Sequence, residues 1–270
     1  MPAFVVAHHD SHGRVAAHLA ALVRALPGRV VFVSTGLADA EGMRLADAAE
    51  VIRRPNEGYD FFSYKTGIDR LAPVLEEAGG LVILNSSFVC LDPARLLAPF
   101  LARLGEDAGL VGLTASEEFA PHLQSYLVGF GPAVVRSEAF RAWWGEMRPL
   151  ADRNHVVASY ELGMSRWFAS RGFGVEALFQ PSAEQVAQAT VRLAAGPRGA
   201  EGLGARRAAE AGERGVLALN PTHAFWEPLW DRFGVVKLEL LRRNPYELDM
   251  VPLRGRCTLR ERELIADALR

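Results

Sequence analysis

Cysteine is nearly absent: Cys90 and Cys257 are the two in 270 residues, and their spacing matches neither a paired metal-ligand motif nor a disulfide framework. That excludes a Cys-rich structural zinc site and a disulfide-stapled scaffold, and fits a reduced, intracellular protein. Long apolar runs are missing too. Stretches such as Gly80 to Leu84 fall far below the roughly 18 residues that span a bilayer. The opening segment Met1 to Asp10 has no basic flank and too brief an apolar stretch for a signal peptide, so a cytoplasmic location is expected. Neither charge sign dominates: 30 Lys plus Arg against 32 Asp plus Glu leave a net charge of −2. Nothing in that balance points to a nucleic-acid partner. No repeat is visible and no linker divides the chain cleanly, so residues 1–270 read as one domain, of a size that supports a well-buried α/β core.

Buried strands and amphipathic helices then alternate. Phe4 to His8 reads as a first strand, Arg14 to Leu26 as a helix with Val15, Leu19, Leu22, Val23 and Leu26 at helical spacing, and Arg29 to Ser34 as a second strand. Strand, helix and strand within this span imply a parallel pair. A third strand, Glu50 to Arg54, precedes a helix over Phe61 to Ala78, and Leu81 to Leu84 has the continuous apolar run of a strand covered on both faces. Asp92-Pro93 opens the next helix, to about Leu104, and Gly109 to Ala115 is another strand. The second half changes character. His122 to Phe130 and Ala133 to Val135 read as antiparallel or edge β structure, Ser137 to Trp144 and Val157 to Arg171 as helices, and Val175 to Phe179 as a strand. Residues 187–217, rich in Ala, Gly and Arg, read as a mobile helical excursion or loop, and Asn220 opens a helix through Trp230. Trp143, Trp144, Trp226 and Trp230 are expected in the core.

The stretch Arg54 to Gly67 and the run Gly80 to Ser87 draw attention for another reason. Gly58 can adopt backbone angles closed to other residues and let a ligand approach the main chain. Asp60 stands where a helix starts, and Asn85, Ser86 and Ser87 where a buried strand ends. Carboxyl ends of strands are where open α/β sheets bind ligands. His8 and His9 are neighbours on a strand, so their side chains point to opposite faces and do not readily share one ion. His122, Gln124 and Tyr126 alternate along a strand and would share a face. Glu161 sits near an expected helix start, where the dipole favours its charged form. Asp60 reads equally as a helix cap, and His223 as a cap of its own helix.

Six segments in order carry a resemblance: Arg54 to Asp60, Leu84 to Ser87, His122 to Tyr126, Tyr160 to Gly163, Asn220 to His223 and Lys237 to Pro245. Together they resemble the rhamnan-synthesis RgpF family of bacterial polysaccharide glycosyltransferases, over nearly the whole chain except about 181–217. The resemblance implies a GT-A-like, Rossmann-like α/β fold: a mostly parallel central sheet flanked by helices, with a mixed or antiparallel C-terminal half. It implies a nucleotide-sugar half, 1–116, and an acceptor half, 117–270, with the mobile segment at 181–217. It also implies transfer of a deoxyhexose such as rhamnose, from a donor such as dTDP-rhamnose, onto a cell-surface polysaccharide, lipopolysaccharide or lipid-linked glycan, at the inner face of the membrane. Arg242, Arg243, Arg254, Arg256, Arg260 and Arg262 would then either face that membrane or form a solvated basic face. The residues it assigns are Glu161 as base of an inverting reaction; His8, Asn56, Gly58, Tyr59, Asp60, Lys65, Asn85, Ser86 and Ser87 around the donor; His122, Gln124, Ser125 and Tyr126 around the acceptor; and His223 and Lys237 at the diphosphate. One departure stands out. GT-A enzymes usually carry a metal-binding aspartate where this chain has Asn85-Ser86-Ser87, so Mg2+ or Mn2+ would need a remote carboxylate, or basic residues such as Lys65 and Arg54 would meet the diphosphate directly. A non-catalytic glycan- or nucleotide-binding role in a polysaccharide assembly complex is the alternative expectation.

Overall fold

Alternation along the strands builds two cores. In β1 (Ala3–His8), Phe4 and Val6 belong to one apolar cluster, and Ala3, Val5 and Ala7 to the other. The same division holds in β2 (Val30–Ser34) and β4 (Leu81–Asn85). Successive strand residues point to opposite faces, so a sheet covered on both sides shows the uninterrupted apolar runs seen here. The computed structural model describes residues 1–270: a mixed α/β fold with helices on both faces of a central, mostly parallel sheet.

The remaining strands are β3 (Glu50–Arg53), β5 (Phe88–Cys90), β6 (Leu110–Ser116), β7 (His122–Leu123), β8 (Leu127–Phe130), β9 (Val175–Phe179) and β10 (Val235–Lys237). The sheet order is β3-β2-β1-β4-β8-β6-β7, with β9 also on β6, and β5 and β10 form a separate antiparallel pair. β1 runs parallel to β2 and β4, while β8 runs against both β4 and β6. The carboxyl ends of β1, β2, β4 and β6 therefore gather at one edge with the amino end of β8. β2 and β3 lie to one side of β1 and β4 to the other, so the topology switches between β1 and β4. Such a point opens the crevice where α/β sheets bind ligands.

The helix Tyr59–Leu75 crosses the sheet in close contact: a Cβ on Gly67 would lie 2.3 Å from Val5 Cγ1. Asp92 caps the helix Pro93–Leu101 by accepting from the Ala94 and Arg95 N–H groups, as expected of an Asp-Pro start. Trp144, Trp226 and Trp230 are buried, and Trp143 packs partly buried against their neighbours.

Several expectations change. Ala133 to Val135 is not β structure: Pro132 presets the first turn of a short helix, Pro132–Val135. His122 to Phe130 is not one strand but β7 and β8, interrupted at Gln124 to Tyr126. Within 181–217 the chain is helical over Ala183–Ala194 and Leu203–Glu210, with Ala189 and Leu193 buried and a capping box between Ser182 and Gln185. The helix containing Glu161 begins earlier than expected, at Arg153, and passes through a π-helical segment, Val157–Glu161, before Leu162–Ala169. Glu161 is thus inside a helical run, where the terminal dipole no longer explains it.

Candidate active site

The small β5–β10 pair makes the site. It sets Lys237 opposite Phe88, and the Leu238 N–H donates to the Ser87 carbonyl at 3.0 Å. The partly buried Lys237 ammonium consequently reaches over the end of β4. Its Nζ donates to Ser87 Oγ at 2.6 Å and lies 4.2 Å from the centre of the Tyr126 ring. Ser87 in turn donates both its backbone N–H and its hydroxyl to Asn85 Oδ1. The Asn85 amide donates to Asp60 Oδ2 at 2.8 Å. Four residues from three distant segments thereby form one chain of hydrogen bonds.

Asp60 is aimed there by its entry turn. Gly58, at φ +69°, precedes the helix Tyr59–Leu75 and puts Asp60 in its first turn. Tyr59 shares the left-handed region at φ +53°, an uncommon conformation for a residue with a side chain. Across the cleft, Glu161 Oε1 accepts from the Ser125 N–H and hydroxyl, both at 2.9 Å. A π-helical turn often marks a functional position; here it carries the carboxylate. The Tyr64 hydroxyl holds the Ser125 carbonyl at 2.9 Å, which fixes the loop that holds Glu161.

These groups line a cleft of about 440 Å3 whose walls also include His9, Arg153, Asn220, Glu239, Arg242 and Arg243. A second cavity, about 530 Å3, adjoins it through Gln124, Arg153, Val157, Glu161, Asn220 and Glu239, and contains His122, His223, Phe119 and Tyr246. A third, about 330 Å3, adjoins through His9, Ser86, Leu238 and Arg242 and is lined by His8, His12 and His18. The three form one trough along the strand-end edge, and Glu161 lies where the first two meet.

Burial dominates the electrostatics. It pushes the Asp60 carboxyl above the usual range, reinforced by the Glu161 charge and opposed by Lys237 and the Asn85 hydrogen bond. It brings Lys237 down to about 8, although Glu161, Asp60 and Glu239 favour its charge. His223 falls to about 4 by burial and by the nearby Lys237, and neither of its ring nitrogens has a hydrogen-bond partner. Its ring lines the second cavity, with both nitrogens themselves buried and Nε2 3.9 Å from Glu239 Oε2.

The end of β4 itself is poorly suited to a divalent ion, since Asn85, Ser86 and Ser87 supply no carboxylate. Asn85 Oδ1 is taken by two bonds from Ser87, and Ser87 Oγ already accepts from an ammonium. No three His, Cys, Asp or Glu side chains converge to form a site made of protein ligands alone; an ion shared with substrate phosphates would need one or two carboxylates.

Of the residues expected at the site, Tyr59, Asp60, Asn85, Ser86, Ser87, Gln124, Ser125, Tyr126, Glu161 and Lys237 meet in the cleft, and His122 and His223 in the adjoining cavity. Gln124 and Tyr126 converge on Thr114 Oγ1 even though they share no regular strand. Others stand apart. Asn56 is exposed in the turn before the helix. Gly58 is packed by protein rather than open to a ligand, since a Cβ there would meet Phe62 and Pro149. Lys65 pairs with Asp69 at 2.8 Å on the helix surface, and Arg54 lies over Phe62. His8 is buried, its Nδ1 2.9 Å from Ser34 Oγ, and touches the histidine-lined cavity. His9, Arg153, Glu239, Arg242 and Arg243 were missed. The adjacent arginines 242 and 243 gave a signal as a basic pair, and Asn220 as the head of a motif; Arg153 gave none.

A model of the family described as rhamnan synthesis protein F matches residues 30–195, well over half of the chain. The match stops short of Asn220 to His223 and Lys237 to Pro245, so the places of His223 and Lys237 rest on geometry. The chain is 30% identical over 136 residues to the uncharacterized protein y4gN of Sinorhizobium fredii, covering 48% of this chain and 35% of that one. It is 29% identical over 211 residues to the virulence protein VirA of Vibrio anguillarum, covering 74% of this chain and 65% of the relative. The chain thus spans about a third to just under two thirds of these relatives. Among solved structures, the glycosyltransferase GlyE of Streptococcus pneumoniae aligns with TM-score 0.45 and 11% identity, over all of this chain and 60% of that one. The mannosyltransferase PcManGT of Pyrobaculum calidifontis aligns with TM-score 0.35 and 12% identity, over 98% and 78%. At these scores the likeness carries no functional weight.

Proposed function

The chain belongs to the rhamnan synthesis protein F family, and from that premise we propose that it is a glycosyltransferase moving a sugar from a nucleotide-activated donor to a hydroxyl of a glycan acceptor. The family description, rhamnan synthesis, supports rhamnose as the sugar; a dTDP-linked donor and a cell-surface polysaccharide or lipid-linked glycan acceptor are proposed with it. The observation that carries the reading is Glu161. One of its oxygens is anchored on Ser125, and the carboxylate stands where the cleft holding Asp60 and Lys237 meets the second cavity.

The donor lies in the first cleft at the β1–β4 switch point, with Asp60 and Asn85 at the sugar. The acceptor enters from the second cavity, where the 74% exposed Phe119 ring suits a sugar's apolar face. Glu161 takes the proton of the attacking hydroxyl, whose oxygen bonds to the anomeric carbon as the bond to the diphosphate breaks and its electron pair leaves with the phosphate. Attack from the opposite face inverts the anomeric centre. No helix is long and apolar enough to cross a membrane; the protein acts at the cytoplasmic face on an acceptor presented there.

The test is nucleotide release from a panel of activated sugars with glycan acceptors. The reading fails if none is turned over while Asp60→Ala and Glu161→Ala leave glycan assembly intact in cells. A second reading, a non-catalytic nucleotide- or glycan-binding component, draws on Ser86 standing in place of an aspartate; binding without turnover would favour it.

A further inference from the structure

The end of β4 holds a cation of the chain's own. Lys237 comes from β10, some 150 positions further along, and its Nζ bonds the serine of the segment Asn85-Ser86-Ser87. That serine hydroxyl is committed between Lys237 and Asn85, and the Asn85 amide is committed to Asp60. The ammonium has three donors and spends one on Ser87. Tyr126 presents its ring face at 4.2 Å and accepts no hydrogen bond from it. The remaining donors border the cleft, in which Arg153, Arg242 and Arg243 are the other cations.

Composition sharpens the point. Of 30 basic residues, the lysines are Lys65 and Lys237 alone. A chain that uses arginine almost everywhere places one of its two lysines, a compact ammonium with three rotatable donors, between Ser87 and the Tyr126 ring. The partly buried ammonium makes no direct ion pair, although Glu161, Asp60 and Glu239 favour its charge, and an anion arriving in the cleft completes its shell.

Resting on the donor reading above, we propose that Lys237 takes the place of a divalent metal: its ammonium binds the donor's diphosphate directly, and this chain holds nucleoside diphosphates without metal. The lysine neutralises charge as the diphosphate leaves and keeps its own proton throughout. The depressed proton affinity of Lys237 agrees with a cation that waits for its counter-ion.

Calorimetry with thymidine diphosphate and uridine diphosphate, in excess EDTA and then in excess Mn2+, tests this. The expected result is equal affinity in both for the wild type. Lys237→Met should weaken binding by about ten- to a hundredfold, as for a lost charge-assisted hydrogen bond, with no rescue by Mn2+ and partial rescue in Lys237→Arg. Binding that appears only with Mn2+, or an undiminished affinity in folded Lys237→Met, overturns the proposal and leaves the donor reading standing. Should Lys237→Met fail to fold, the wild-type comparison decides alone. No binding of either nucleotide in any condition overturns both.

Discussion

Replacing Glu161 by glutamine separates its chemical role from its structural one. The carboxylate accepts two hydrogen bonds from Ser125 through one oxygen, and a glutamine carbonyl can accept the same two. The fold should therefore lose no more than about 1 kcal/mol, the difference between charged and neutral acceptors. The proton acceptor is gone, however, and positioned general bases contribute about 10²–10⁴ in rate, roughly 3–5 kcal/mol of barrier. Glu161→Gln should thus lower kcat by that factor, with thermal melting and donor affinity close to the wild type. Glu161→Ala should differ in kind. It leaves the Ser125 N–H without its acceptor, at about 1–3 kcal/mol, and lowers the melting temperature as well as the rate. Nucleotide release measured at saturating donor and acceptor, beside a melting curve, reads both. A Glu161→Gln enzyme that melts normally and keeps kcat within tenfold would refute the assignment.

Three further outcomes are expected. Lys237 titrates near 8 and binds anions only when protonated, so thymidine diphosphate affinity should hold below that pH. It should fall about tenfold per unit above it, as binding must recover the lost proton; the same slope in Lys237→Met would contradict this. Because His223 is buried with both nitrogens unpaired, His223→Leu should leave melting unchanged or raise stability by about 1 kcal/mol. The same substitution should leave the acceptor KM unchanged, since both nitrogens are buried; a raised KM would mark a binding histidine. Gly58→Ala forces a side chain into φ +69°, with Cβ 2.7 Å from Phe62 Cβ and 2.9 Å from Pro149 Cα. It should cost about 1–2 kcal/mol from the backbone alone, and displace Asp60; denaturant unfolding reads the first effect and donor KM the second.

Much of the parallel half was legible because its signal is local. The strand runs Phe4 to His8 and Leu81 to Leu84 are covered on both faces, and the turn chemistry at Asp92-Pro93 is self-contained. The second half was harder for a physical reason. Pro132 can end a strand or start a helix, and tertiary packing of Val134 and Val135 chose the helix. The pattern over 181–217 is weak because few residues of its α-helices are buried: Ala189 and Leu193 in the helix Ala183–Ala194, and Gly204 in Leu203–Glu210. Asp60, Asn85 and Ser87 were readable as strand and helix ends, since each sits at a break in its own pattern. Lys65 and Asn56 shared that neighbourhood in sequence, and the helix carried Lys65 round to Asp69.

Glu161 and Lys237 show where local reading stops. Lys237 reaches the site through the register of β10 on β5, a three-residue pairing between segments far apart in sequence; neither strand is long enough to announce itself by alternation. Glu161 ends a segment where the helical phase changes. Each α-helical residue turns the chain by about 100°, and a π-helical turn absorbs one residue more than an α turn. A helical wheel drawn through Arg153 to Ala169 therefore misdirects one side of the Val157–Glu161 segment by about that angle relative to the other. The shift falls on the Arg153 to Val156 side, because Glu161, Met164 and Phe168 stand at i, i+3 and i+7 on one helix face: Met164 and Phe168 bury against the sheet while Glu161 meets Ser125. The site's least legible placements are thus that of Lys237, set by a three-residue strand pairing, and that of Arg153, on the far side of the π-helical segment; both lie where a sequence pattern carries least information.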